Sequence, residues 1–241
     1  MLYFIVQTIL IYHWVLIAAA VIPAIVLMVK VYRSDRLEKE SPALLGNLVE
    51  AGILSALLAM VLETVGQWLL GKFVSPDDKL YNVIMFFVVV AVSEEGSKYY
   101  FMNRRVWNNR EFNCSYDGVV YAVFTSLGFA LWENISYVLS YGFGTALVRA
   151  VTAIPGHASF GVFMGAFYGA AKRAQMRGEL QKANVLRFAG VLLAALMHGA
   201  YDYLATSETE TGSLYFLIYV VLLFIASYRT VSVSSANDRY I

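Results

Sequence analysis

The sequence predicts an all-α, polytopic transmembrane helix bundle with about seven spans, and three observations carry that expectation. The 241 residues are 59% hydrophobic with a mean hydropathy of +0.62 and only 15% charged, where a soluble domain carries about 25% charged residues. Apolar stretches long enough to cross a hydrocarbon core of about 30 Å recur along the whole chain, separated by short polar connections. Lys and Arg collect in alternate connections, the asymmetry that orients helices in a membrane. The stretches are too long and too uniformly apolar for the alternating strands of a barrel. Residues 1–241 therefore form a single integral membrane domain, without a soluble domain, long linker or internal repeat. The net charge of +1 says nothing about nucleic acid, and with no basic cluster long enough to suggest it, no nucleic-acid partner is expected. The single cysteine, Cys114, excludes an internal disulfide framework and a cysteine-based zinc knuckle. No secretory signal is expected, because MLYFIVQ has no basic start and its apolar run continues to about Val29.

The first span, roughly 3–29, holds His13 and Trp14 as structural residues and runs into a connection with Lys30, Arg33, Arg36 and Lys39. The second, 44–70, has Glu50 near one end and Glu63 within VLETVGQW, where a carboxylate needs a partner such as Lys98 or a hydroxyl. The connection VSPDDK follows, with Asp77 and Asp78 as solvated charges. In the third span, 80–102, the run YNVIMFFVVV leads into VAVSEEGSKY with Glu94, Glu95 and Lys98. Arg104, Arg105 and Arg110 come next. The fourth, 118–141, contains Glu133 in GFALWENISY, and its Asn134-Ile135-Ser136 sequon lies inside the span, out of reach of glycosylation. The fifth, 145–171, follows the charge-free turn YGFG and carries Arg149 near its outer end and His157 in AIPGHASFG. Pro155-Gly156 predicts a kink there. His157, Gly161, Gly165 and Gly169 recur every four residues, a small-residue face for close helix packing. After Lys172, Arg173, Arg177, Lys182 and Arg187 comes the sixth span, 188–206, with His198 and Asp202 in LMHGAYDY. SETETGS leads to the seventh, 214–231, and a tail with Arg239. The charge pattern places the N-terminus outside and the first, third and fifth connections and the C-terminal tail in the cytoplasm.

The ionisable residues inside these spans are the main clue to function. A charged group at bilayer depth costs from ~2.5–3.5 kcal/mol on insertion scales to more than ~10 in simulations, so it requires partners, a polar cavity or a task. Counted at ~1.5 Å per residue from the outer ends, Glu133, His157 and His198 fall ~15–20 Å down, with Glu95 deeper and Asp202 shallower. Four helices thus present acidic or imidazole groups to one layer. His198 and Asp202 are four apart and share a helix face, as do Glu94 and Lys98. Adjacent Glu94 and Glu95 point ~100° apart, which predicts separate roles. Two imidazoles with several carboxylates suit zinc and a base for water. They also suit a proton relay or proton-coupled transporter, or a scaffold in which carboxylates only hold helices together. HExxH is absent, and spacing alone leaves these alternatives open.

Taken together, Glu94-Glu95-x-x-Lys98, Phe129-x-x-x-Glu133, an isolated His157 and His198-x-x-x-Asp202 resemble the PrsW family of intramembrane metalloproteases. That layout is similar to the CAAX prenyl endopeptidase and bacteriocin-processing superfamily. CAAX-type members have histidine where Glu133 stands, and asparagine where Asp202 stands, which favours the PrsW branch. The resemblance covers about residues 80–205, the expected catalytic core. It implies a multi-pass protease of the bacterial plasma membrane that makes the first, site-1 type cut in a single-pass membrane protein such as an anti-sigma factor. It further implies a zinc cofactor bound by His157 and His198 with Glu133 or Asp202. Glu94 or Glu95 is then the base, and Lys98 offsets the second carboxylate or the oxyanion. Some relatives of this layout work as glutamate-type proteases without metal, and that alternative accompanies the resemblance.

Overall fold

The structure is a computed structural model that describes the backbone of residues 2–241 and the side chains of Gln7 and of residues 11–241. Its elements are α1 (Leu2–Ser34), α2 (Pro42–Phe73), α3 (Lys79–Ile84), α4 (Ala91–Val106), α5 (Asp117–Tyr141), α6 (Phe143–Val151), α7 (Ala153–Met176), α8 (Leu180–Ala205) and α9 (Glu210–Ala236). Seven helical stretches are long and apolar enough to cross a membrane. They overlap the seven expected spans. Two of them are composite: α3 and α4 are joined by a π-helical turn at Met85–Val90, and α6 and α7 meet at Thr152. The described residues form no strand, and Cys114 and Tyr240 make an isolated antiparallel bridge.

Local chemistry starts and stops these helices. Ser41 accepts a hydrogen bond from Leu44 N at 3.2 Å ahead of Pro42, which as the first helical residue lacks only an N–H the helix would not have used. Thr209 caps α9 by accepting from Gly212 N at 3.0 Å. At the far end of α7, Gly178 adopts φ +79°, and Glu179 N closes back on Ala174 O at 2.9 Å. A side chain at that φ would be strained, so glycine makes the turn to α8. The expected kink at Pro155-Gly156 occurs three residues earlier, at Thr152 (φ −121°, ψ −70°). Pro155 then lies in the first turn of α7, where its missing N–H breaks no helical bond.

At the centre of the bundle, α5 and α7 pack together. In α5, 78% of the most apolar window is buried, against 17% in α9, so α5 is an interior helix and α9 lies at the periphery. The glycine stripe makes the close packing possible. A Cβ at Gly165 would lie 2.6 Å from Val119 Cα, and one at Gly118 would lie 2.5 Å from Gly169 N. Both distances are too short for any side chain, so the two backbones meet only because both positions are glycine.

The basic connections collect at one end of the bundle. Lys172 Nζ donates to Trp107 O at 2.7 Å, the Arg187 guanidinium lies 4.3 Å from the Trp107 ring, and Tyr116 N donates to Asp238 at 2.8 Å. Ser235 on α9 donates to Ser34 O at the end of α1. The ends of α1, α4, α7 and α9 are tied together there.

Candidate active site

Helix α4 contributes three of the expected site residues. Lys98 Nζ lies 2.7 Å from Glu95 Oε1 and 3.1 Å from Glu94 Oε2, and Glu95 and Lys98 are only 0% and 1% exposed. Spacings of three and four residues let one ammonium reach both carboxylates despite their different directions. The same Nζ lies 3.1 Å from His157 Nδ1 and 3.9 Å from the centre of the Phe129 ring. Lys98 therefore holds α4, α5 and α7 at one point. The sequence offered Lys98 or a hydroxyl as the partner of Glu63. The structure corrects this: Glu94, Glu95 and His157 take the ammonium, and Glu63 lines the wall of the adjacent cavity.

Hydrogen-bond chemistry fixes the tautomer of His157. An ammonium can only donate, so Nδ1 must accept, and the ring proton resides on Nε2. Nε2 then donates to Glu133 Oε2 at 2.8 Å. Glu133 is in turn 2.9 Å from Arg149 Nη2, close in charge though not aligned as a hydrogen bond. Arg149 Nε donates to Asn134 Oδ1, and Asn134 Nδ2 donates to Ala20 O, both at 2.9 Å. Arg149, near the outer end of its expected span, therefore holds Glu133.

His198 on α8 completes the cluster. Its Nδ1 lies 3.0 Å from Glu95 Oε1 and 3.8 Å from Glu94 Oε2, and its Nε2 lies 3.4 Å from Asp202 Oδ2 one turn on. His198 thus turns Nδ1 towards the α4 carboxylates and His157 turns its Nδ1 towards the α4 ammonium, while each points Nε2 at a further carboxylate, Asp202 or Glu133. Phe160 stacks on the His198 ring with centroids 4.9 Å apart.

These groups sit at the floor of a cavity of about 450 Å³, lined by Glu63, Glu94, Glu133, His157, His198 and Asp202 among apolar residues. Its wall reaches Tyr137, Arg149 and Thr206, near the ends of α5, α6 and α8 that lie opposite the basic connections. Glu94 lines this cavity, while Glu95 is buried behind it. The adjacent glutamates differ in environment, as their angular separation implied.

One oxygen of the cluster is left without a partner: Glu95 Oε2 is fully buried and makes no hydrogen bond. Such an atom calls for a cation, a proton or a water. Atoms of Glu94, Glu95, His157 and His198 all lie within 4.8 Å of one another, and all four residues are buried. Two imidazole nitrogens and two carboxylates are a donor set that zinc accepts. The residues therefore fit a metal, on condition that Lys98 withdraws from the carboxylates it now neutralises.

Some parts of the site were not apparent in the sequence. The π-helical turn at Met85–Val90 packs on α8 beside His198, where a Cβ at Gly199 would be 2.7 Å from Phe87 Cδ1. The glycine after His198 was the available signal. Phe129 was visible as part of a motif, but its place under the Lys98 ammonium was not.

Comparison with known proteins gives a consistent result. A family model described as PrsW family intramembrane metalloprotease matches residues 40–227. Protease PrsW of Geobacillus kaustophilus is 32% identical over 93% of this chain and 94% of its own length. Protease PrsW of Oceanobacillus iheyensis is 31% identical over 94% of this chain and 98% of its own, and that of Bacillus subtilis is 27% identical over 87% and 90%. No solved structure matches the chain.

Proposed function

The chain belongs to the PrsW family of intramembrane metalloproteases, and from that premise we propose that it cuts a single-pass membrane protein, of the anti-sigma-factor kind, at the floor of the polar cavity. The observation that carries this reading is the convergence of Glu94, Glu95, His157 and His198, from three helices, on one buried point at the cavity floor. The cut would fall near the end of the bundle opposite the basic connections, which the charge pattern assigns to the outside.

His157 and His198 would hold zinc through Nδ1 together with Glu95, whose buried Oε2 has no hydrogen-bond partner. Glu133 and Asp202, placed among the ligands by the resemblance, would instead fix the histidines from Nε2, the carboxylate–histidine support typical of metal sites. When bound, zinc polarises a peptide carbonyl and brings the pKa of water to about 7. Glu94, the carboxylate facing the cavity, would accept the proton of the attacking water and pass it to the leaving amine. Lys98, released from Glu94, would stand where it can donate to the oxyanion.

A second reading is favoured by one observation: Lys98 Nζ already neutralises the two carboxylates and holds His157 within 3.1 Å. In that arrangement Glu94 and His198 would work as a glutamate-type pair without metal. One experiment separates the two. The protein is purified with a co-expressed single-pass substrate, and its zinc content and cleavage are measured in wild type, Glu94→Gln, His157→Ala and His198→Ala. The metal reading expects about one zinc per chain, lost in either histidine variant and kept in Glu94→Gln, with cleavage lost in all three. Full cleavage by zinc-free wild type would overturn it in favour of the second reading.

A further inference from the structure

Away from the active site, α1, α7 and α9 enclose a second cavity of about 210 Å³ on the outer surface of the bundle. We propose that this groove is a binding site for an anionic glycerophospholipid of the leaflet at the basic end. The inference does not rest on the proteolytic reading.

Three features along the groove follow the order of groups in such a lipid. At the level of the basic connections, Lys30 lies in its rim, with Nζ 4.8 Å from the centre of the Tyr228 ring. No ion pair with a carboxylate is formed by Lys30 among the described residues, and Arg33 stands one turn beyond it at the end of α1. A phosphate is the complementary charge, and basic pockets between transmembrane helices take lipid headgroups in this way. About one turn deeper, the Ser227 hydroxyl is 93% buried in the groove wall and has no hydrogen-bond partner. A hydroxyl at hydrocarbon depth needs an acceptor. The ester carbonyls of a glycerophospholipid lie just below the phosphate and supply one. Below Ser227, Leu27, Ala158 and Phe224 make an apolar trough suited to an acyl chain. An apolar groove alone would accept any hydrocarbon; the cation and the unpartnered hydroxyl above it select the headgroup.

Pro155 and Ala158 are also part of this groove, and they flank His157 on α7. A chain seated here would rest on the back of the helix that carries the histidine.

The test uses the full chain in neutral detergent. Binding of palmitoyl-oleoyl phosphatidylglycerol, the matching phosphatidylcholine and free glycerol phosphate is followed by native mass spectrometry. Wild type should retain one phosphatidylglycerol in preference to phosphatidylcholine and should not retain glycerol phosphate. Lys30→Ala should bind phosphatidylglycerol about fivefold more weakly, the effect of one lost basic contact. Ser227→Leu, which fills the groove and leaves the charge, should lose the same lipid. Lipid-free melting and monodispersity must match wild type; should Lys30→Ala not fold, Ser227→Leu decides. Equal retention of the two lipids, undiminished phosphatidylglycerol binding in the folded variants, retention of glycerol phosphate alone, or a second copy of the chain covering the groove would each overturn the proposal.

Discussion

Replacing Lys98 with Met is the sharpest test of how the buried charges are balanced. Met matches the four-atom stem of the side chain and removes the ammonium, which lies 2.7 Å from Glu95, 3.1 Å from Glu94 and 3.1 Å from His157 Nδ1. Both Glu95 and Lys98 are almost inaccessible to water. Removing one partner of such a pair costs about 3–5 kcal/mol, because the remaining charge stays buried and uncompensated. Here two carboxylates and an imidazole acceptor lose their donor together, so the upper part of that range applies. For a chain of this length 1 kcal/mol moves the melting midpoint by about 2–4 °C, on the scale of soluble domains. The chelated variant should therefore melt at least about 10 °C below chelated wild type. Zinc at the same carboxylates would supply the missing positive charge, so the difference should shrink by half or more when the metal is restored. The assay is a thermal melt in detergent, with and without chelator, for both proteins. A chelated Lys98→Met that melts with wild type would refute the pairing itself. A large difference that zinc leaves untouched would refute the idea that ammonium and metal serve the same carboxylates.

Two further outcomes follow from contacts elsewhere. Arg149→Ala should lower cleavage about 10–100-fold, the usual effect of losing outer support for a metal-site histidine, with Arg149→Lys recovering part of it; the basis is the 2.9 Å approach to Glu133, which holds His157. Unchanged cleavage and zinc retention in Arg149→Ala would remove that role. At the basic end, burial and then the neighbouring Asp117, with further repulsion from Glu111 and Asp35, push Glu40 up to about 9, and burial opposed by Lys39 raises Asp35 to about 6. An acid whose folded pKa is raised loses stability as pH climbs from its ordinary value towards the folded one. Melting midpoints should fall between about pH 5 and pH 9, most of all for wild type, and Glu40→Gln should flatten the profile. Superimposable profiles for the two proteins would contradict this.

Much of the architecture could be read in the sequence because a bilayer leaves few alternatives to apolar helices of fixed length. Glu94, Glu95, Lys98, Glu133, His157 and His198 were found as costly exceptions in oily helices, and the structure brings them together at hydrogen-bond distances. Contact partners were less legible. Lys98 was one of two partners offered for Glu63, beside a hydroxyl, but sequence spacing could not show that Glu95 and His157 had already taken the ammonium. The kink was placed at Pro155 because proline breaks helices in the interior. It is harmless in a first turn, and only the register of α7, which begins at Ala153, shows that Pro155 is in one. The π-helical turn at Met85–Val90 packs Phe87 on Gly199, a contact between helices more than a hundred residues apart in sequence, which has no local signature.

Charge balance links the site's structure to its chemistry. Within the paired cluster, apart from Glu63 on the cavity wall, Glu94, Glu95, Glu133 and Asp202 carry four formal negative charges, and Lys98 and Arg149 carry two positive ones, which leaves a formal charge of −2 when both histidines are neutral. Uncompensated charge of that size is not sustainable in a low-dielectric interior. Two protons can remove it: one makes His198 an imidazolium that donates from Nδ1 towards Glu95 and from Nε2 towards Asp202, and the second sits on a carboxylate of the cluster. One divalent cation can remove it equally well. The two mechanistic readings are thus the two ways of closing the same balance, and they differ in a countable quantity. If zinc takes over from the protons, its binding must expel close to two protons per metal ion, since ligands bind deprotonated. Calorimetry of zinc binding in buffers of different ionisation enthalpy measures that number directly. A value near two supports metal at the convergent residues. A value near zero would mean that zinc binds elsewhere, and that Lys98 and the protons, with no metal, are what the active site uses to hold its carboxylates in the membrane.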